Sequence, residues 1–225
     1  MSRFGLVVLA LAVPLVACAD TSQESAAQRL VDRSTLTVET IMTSPNSADV
    51  TGTLKNARAV MICPEVFKAG FIVGGSGGGC VLVARAAGGS WSAPAFYTIG
   101  SGSLGLQAGI EDASVLMMIM NDKALNAVIN SQFKIGADAS IAVATVGATI
   151  GGSTTAAMRA DIVTFAQNRG LFAGVSLDGA LLSSDYSGDQ AYYGGSADAR
   201  QIVVGMQANN PGANPLRAVL ARYGS

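Results

Sequence analysis

The sequence predicts a single α+β domain, a strongly curved or barrel-like, mainly antiparallel sheet with flanking helices. Three observations carry this expectation. Short apolar runs punctuated by Gly, Ser or Pro recur through residues 59–177. Helical spacing of apolar residues is confined to the two ends and one stretch near residue 125. The 225 residues suffice for one ordinary core but not two, and no repeat or linker divides them.

Taken in order, Arg3 provides a short positive region, and Phe4 to Val16 are uncharged and almost wholly apolar. This run is short for a bilayer span but suits the apolar region of a signal peptide. It ends in Leu15-Val16-Ala17-Cys18, which resembles the bacterial lipobox. The expectation is therefore a lipoprotein signal peptide over 1–17, with Cys18 lipidated by palmitate-type acyl chains. Cleavage as an ordinary signal peptide is the alternative. Several acyl chains hold a protein on a membrane far more firmly than one. Ala19, not aspartate, follows the cysteine and favours the outer over the inner membrane, with the domain facing the periplasm.

Residues 22–43 place Ala26, Ala27, Leu30, Val31, Val38 and Ile41 at helical spacing, with charged residues between them. Pro45-Asn46-Ser47 ends the pattern. The division is thus 18–45 as lipidated N-terminus and amphipathic helix, and 46–225 as the domain core. A short helix near Leu54–Ala57 follows. Strands are expected at Val60–Cys63, Phe71–Val73, Val81–Ala84, Ala95–Ile99 and Val115–Met120, then at Ser140–Thr145, Asp161–Phe165 and Leu171–Leu177. Asn121 caps a helix with Ala124, Leu125, Val128 and Ile129 on one face. Asn214-Pro215, as N-cap and first helical residue, starts a final helix striped by Leu216, Val219, Leu220 and Tyr223. The glycines of 74–79 and 100–105 weaken flat strands, so they are read as bends, bulges and close backbone contacts.

Composition excludes several functions. Half of the residues are hydrophobic, 13% are charged and the net charge is −1, which argues against nucleic acid as ligand. With no histidine, Ser-His-Asp and Cys-His catalysis and the usual His-bearing zinc sites are absent. Cys63 and Cys80 remain once Cys18 is set aside. They are either a disulfide, as an even pair in an oxidising compartment suggests, or two buried thiols. Two lone cysteines make no metal site.

Four motifs look catalytic in isolation. Gly100–Gly105 fits G-x-G-x-x-G with Asp122 downstream, but Leu106–Ile110 alternate like a strand where a helix should open, so no nucleotide is expected. Ser76 sits in G-x-S-x-G without a histidine to serve as base. Ser131 and Lys134 form S-x-x-K without its partner motifs, and are read as a solvated helix end. Glu111-Asp112 is a carboxylate pair with turn-like neighbours and nothing to support it. No catalytic residue, cofactor or enzyme activity is expected.

Several stretches resemble the SYLF domain family in order along the chain. They are Lys55-Asn56-Ala57-Arg58-Ala59-Val60 with Pro64, Lys68-Ala69-Gly70-Phe71 with the glycines to Gly79, Arg85, and Trp91-Ser92-Ala93-Pro94-Ala95. Gly105–Gly109, Arg169–Gly179 and Tyr192-Tyr193-Gly194 complete the pattern. The resemblance implies a non-enzymatic domain that binds membranes, partly through an N-terminal amphipathic helix, and in some members actin. For an exported chain it implies membrane phospholipids as ligand. Lys55, Arg58, Lys68 and Arg85 stand on matching positions, either as contacts to lipid phosphates through charge-assisted hydrogen bonds or as solvated ends of elements. Trp91 is either a core anchor or an interfacial ring. A structural or antigenic envelope protein that binds protein partners is the alternative function.

Overall fold

The computed structural model describes residues 17–45, 47–70, 73–104, 109–130, 132–146, 160–169, 177 and 179–225. Residues 1–16 of the expected signal peptide, Phe71, Gly105–Ala108, Ser131 and most of the 170–178 stretch lie outside the described residues. Six α-helices are described: α1 (Ala17–Met42), α2 (Ala48–Asn56), α3 (Asp122–Asn130), α4 (Tyr186–Tyr193), α5 (Ala199–Val203) and α6 (Asn214–Gly224). The strands are β1 (Ala59–Gly70), β2 (Val73–Ala84), β3 (Ala95–Leu104), β4 (Gly109–Ile119), β5 (Phe133–Lys134), β6 (Ile141–Thr145), β7 (Ile162–Arg169) and β8 (Leu181–Ser184). They form one strongly curled, half-barrel sheet in the order β5-β8-β3-β2-β1-β4-β7-β6. Every pair is antiparallel except β6 with β7. The fold is thus the α+β arrangement expected.

The central strands are continuous apolar runs because helices cover both faces. On one face Met61, Cys63, Leu82, Tyr97, Val115 and Met117 pack under α3 and α5 through Leu125, Val128, Ile202 and Val203. On the other, Val60, Ile62, Val81, Val83, Leu116 and Met118 pack under α1, α2 and α6 through Val31, Val38, Ile41, Leu54, Leu216 and Val219. Helix α1 is thus part of the core: Val31, Val38 and Ile41 are fully buried, so its apolar face lies on the sheet. Burying each such side chain stabilises the fold by roughly 1.5–3 kcal/mol.

Local chemistry fixes the helix ends. Asn121 Oδ1 accepts from the Ala124 N–H at 2.8 Å, as its cap role requires. Asp198 and Gln201 form a reciprocal capping box at α5. Asp185 caps α4, and Gly194 ends that helix in the left-handed region at φ 69°. Helix α6 begins at Asn214, so the cap position falls on Ala213 and not on Asn214. Helices α4 and α5 and strands β5 and β8 have no counterpart in the sequence expectation.

The glycines of 74–79 put no bulge into β2. β2 pairs with β3 without a register shift from Val73↔Leu104 to Leu82↔Ala95. The irregularity lies in β1, between Cys63 and Val66, where Pro64 has no N–H to give to a ladder. The Ser114 hydroxyl donates to the Pro64 carbonyl there at 2.8 Å. A side chain at Gly78 would strike the Glu65 carbonyl oxygen of that bulge. One at Gly79 would meet Leu30 Cδ2 of α1 at 3.0 Å. These two glycines are therefore explained by close approach. Cys63 and Cys80, both fully buried, are joined in a disulfide with Cα atoms 4.2 Å apart, across β1 and β2.

Candidate functional site: a glycine-floored trough at the end of the sheet

Beyond the bulge the strands carry small residues, and one row of paired positions crosses seven strands. It runs Lys134↔Leu181↔Gly100↔Gly77↔Phe67↔Asp112↔Arg169. Directly paired residues share a face, so two glycines form a floor between two large apolar side chains. Phe67 is 47% exposed and Leu181 42%. With strands about 4.8 Å apart, these walls stand about 14 Å from each other. Gly75 and Gly102, two positions along β2 and β3, extend the same floor.

Two adjoining depressions open on it. One, of about 200 Å³, is lined by Leu30, Arg33, Pro64, Glu65, Phe67 and Gly77–Gly79. The other, of about 390 Å³, is lined by Thr98–Gly102, Gly179, Leu181 and Ser183. Arg33 Nη1 lies 2.7 Å from Glu65 Oε2 in an exposed ion pair, worth at most about 1 kcal/mol. Exposed Lys134 stands beside Leu181 at the other end of the row.

Unlike Gly78 and Gly79, the floor glycines are not forced by packing. A Cβ at Gly77 would make only ordinary contact with the Ile99 carbonyl oxygen, 3.7 Å away, and one at Gly102 would meet nothing within 4 Å. Glycine inside a strand weakens it by roughly 0.5–1 kcal/mol relative to alanine. What the floor gains is an open trough in which another molecule can approach the backbone.

The four basic residues singled out in the sequence do not converge. Lys55 and Arg58 are exposed at the end of α2, where Arg58 Nε pairs with Asp122 Oδ1 at 2.9 Å. Lys68 is half-buried at the far end of β1, ten residues and so roughly 30 Å away. It alternates with Phe67 and faces the opposite side, beside Ser76, whose hydroxyl bonds that of Ser101 at 2.7 Å. Arg85 is a structural clamp. Its Nε, Nη1 and Nη2 donate to the carbonyls of Ala57, Gly224 and Leu54, at the C-terminal ends of α2 and α6. Burial first, then the neighbouring Arg58, lower its pKa from the ordinary arginine value. Three of its five N–H groups are thus spent on holding helix ends together, a structural role. Trp91, 2% exposed, stacks on that guanidinium as a core anchor.

The motifs that mimic catalysis fall on strands. Ser76 lies mid-strand in β2, Gly100 to Leu104 in β3, and Glu111-Asp112 in β4, extended where a turn was expected. Lys134 lies on β5, not at a helix end. Among the described residues no group of three His, Cys, Asp or Glu could hold a metal ion. None of the described helices is long and apolar enough to cross a membrane. Phe67 and Leu181 were missed by the sequence reading. The clue to Phe67 was Pro64, which reads as a strand end but marks a bulge beyond which β1 continues.

Comparison with known proteins adds the family. A family profile described as "Ysc84: Las17-binding protein actin regulator" matches residues 100–223. The chain is 31% identical over 160 residues to the human SH3 domain-containing YSC84-like protein 1, covering 71% of this chain and 47% of that one. It is 30% identical over 172 residues to the LAS seventeen-binding protein 3 of Saccharomyces cerevisiae, covering 74% and 37%. An SH3 domain-containing protein of Schizosaccharomyces pombe is 32% identical over 170 residues, covering 74% and 39%. The chain therefore spans less than half the length of these curated relatives. With more than half of its residues inside the profile, and the SYLF motifs in order along it, the chain belongs to the Ysc84 (SYLF-domain) family.

Proposed function

We propose that the domain is a non-enzymatic binding module that works against the surface of a bacterial envelope membrane, held there through lipidated Cys18, with membrane phospholipid as its ligand. The observation that carries this reading is the exposed pair Phe67 and Leu181 on the glycine floor. With the central sheet packed from both sides, contact with lipid falls to the outer surface. Two large apolar groups with Arg33 and Lys134 at the rim suit the boundary between headgroups and acyl chains.

The test is vesicle co-sedimentation of residues 19–225, which lack the acyl anchor, with anionic and neutral vesicles at two salt concentrations. Binding to anionic vesicles that weakens with salt, and falls by most of its amount in Phe67→Ser/Leu181→Ser, is the expected result. Lys55→Ala/Arg58→Ala is expected to bind like the parent. Absence of binding to every vesicle overturns the reading. A protein partner is the second reading, favoured by the family's description as Las17-binding and by the name of the yeast relative. An open apolar surface rimmed by polar residues suits a protein as well. Vesicle binding that ignores the Phe67/Leu181 substitutions would assign the trough to that partner.

A further inference from the structure

Asp189 is a buried carboxyl with one hydrogen bond and a second oxygen that meets no partner. It is 1% exposed, in the first turn of α4. Its Oδ1 accepts the Phe96 N–H at 2.9 Å, and Oδ2 is buried without a hydrogen-bond partner. The placement is particular. Pairing of β3 with β8 stops at Tyr97↔Ser184, and the next step of the edge is taken over by α4. The Asp185 N–H donates to the Phe96 carbonyl at 2.8 Å, and Asp189 receives the Phe96 N–H.

The rest of α4 closes on the same residue. A Cβ at Gly188 would come within 3.1 Å of Phe96 Cβ, and Tyr192 meets the Phe96 ring edge-on at 5.1 Å. The Tyr193 hydroxyl donates to the Pro94 carbonyl at 2.6 Å. Helix α1 packs against α4.

We propose that Asp189 is a proton-operated latch, which closes α4 over the edge of β3 while uncharged and loosens it when ionised. The groups acting on it are Asp185 at the head of its own helix and Asp198 at the head of α5, both acidic. Tyr97 of β3 and Tyr193 of α4 also feel its charge. Arg217 of α6 acts on Tyr193 and Asp32 of α1 on Tyr192, but among the described residues the charges acting on Asp189 itself are acidic. Burial, above all, pushes the Asp189 carboxyl up to about 7; the Phe96 N–H opposes this, while Asp185 and Asp198 add to it. A neutral acid leaves one hydroxyl unsatisfied in the interior, whereas the anion leaves a buried charge with a single donor, a far greater penalty. Because α1 lies on α4 and its Leu30 and Arg33 border the trough, the latch bears on the helix beside that surface. It does not depend on what the trough binds.

The test is made on the folded full chain. The Asp189 carboxyl carbon is followed by NMR from pH 4 to 9, together with hydrogen exchange of the amides of 186–193, corrected for intrinsic rate. The expected result is a titration midpoint near neutrality and a loss of α4 protection of about tenfold or more across it, which is one pH unit of linkage. In Asp189→Asn the protection is expected to be level with pH. A midpoint in the ordinary carboxylate range overturns the latch, as does α4 protection in the parent that is equal at pH 5.5 and 8.5. The titration needs no variant, so a poorly folding Asp189→Asn leaves the test intact.

Discussion

Arg85 and Trp91 form a stacked pair, the guanidinium carbon 4.3 Å from the ring centre. The pair joins the turn after β2 to the ends of two helices, since the same guanidinium donates to Leu54, Ala57 and Gly224. A cation at two helix C-termini is favourably placed against both dipoles. Replacing Arg85 by alanine removes three charge-assisted hydrogen bonds and the stack, and is expected to destabilise the fold by about 2–4 kcal/mol in chemical denaturation. Lysine is expected to recover little, because it cannot donate in three fixed directions from a plane. Vesicle binding of Arg85→Lys at low temperature, where it stays folded, is expected to equal that of the parent.

The Cys63–Cys80 bridge closes a 17-residue span. Loop-closure entropy gives it about 3 kcal/mol. The guanidinium midpoint of the Cys63→Ala/Cys80→Ala variant should therefore fall by the equivalent amount. A loss under about 1 kcal/mol would show that the hairpin is held by its pairing alone.

Two glycines in adjacent strands should respond oppositely to substitution. Gly78→Ala drives a methyl group into the Glu65 carbonyl, and is expected to cost several kcal/mol or prevent folding. Gly102→Ala has open space and is expected to be neutral, or to raise stability by up to about 1 kcal/mol. Thermal melts compare them directly. Gly102→Leu, which fills the trough, should stay folded yet lose vesicle binding.

Asp189 also sets a pH dependence whose sign is fixed. Its folded pKa lies above the unfolded value, so the native state keeps a proton that the unfolded chain has released. Stability from this group is full below about 4 and declines as pH rises to about 7, by at most about 4 kcal/mol. Asp161 has the opposite sign: hydrogen bonds from Asn121 and Ser140 lower its pKa, so its contribution is lost as pH falls through the acid range. Urea denaturation at pH 5, 6, 7 and 8 should show Asp189→Asn gaining on the parent as pH rises.

The sequence displayed the doubly buried strands well, because apolar runs such as Val60–Cys63 and Val81–Ala84 have no other home in a chain with helices at both ends. The faces were harder. Phe67 follows a proline, and only the bulge at Pro64-Glu65 lets β1 run on and turn that ring outward. Of the bends, bulges and close contacts expected of the glycine runs, the close contacts occur at Gly78 and Gly79 and the bulge lies in β1 instead, while pairing with β3 carries Gly74–Gly79 through in unbroken register. Helix α4 escaped notice because Tyr-Ser-Gly-Asp-Gln-Ala-Tyr-Tyr has weak helix formers. Its capping aspartate and its packing on Phe96 supply what propensity lacks. The four basic positions shared a family pattern but not a place, since β1 separates Arg58 from Lys68 by its whole length.

The strand order also reads as a schedule. β1 and β2 lie at the centre of the sheet, and their bridge can lock before any later strand has been delivered. β3 then joins the β2 side and β4 the β1 side, each meeting an edge that already exists. For a chain arriving from its N-terminus, growth outward from a cross-linked hairpin keeps the early pairings local. β5 and β6 break the rule, because each must wait for a partner made after it, β8 and β7 respectively. The two margins of the sheet are thus the last parts to be secured, and Leu181 takes its place in the trough only when β8 arrives.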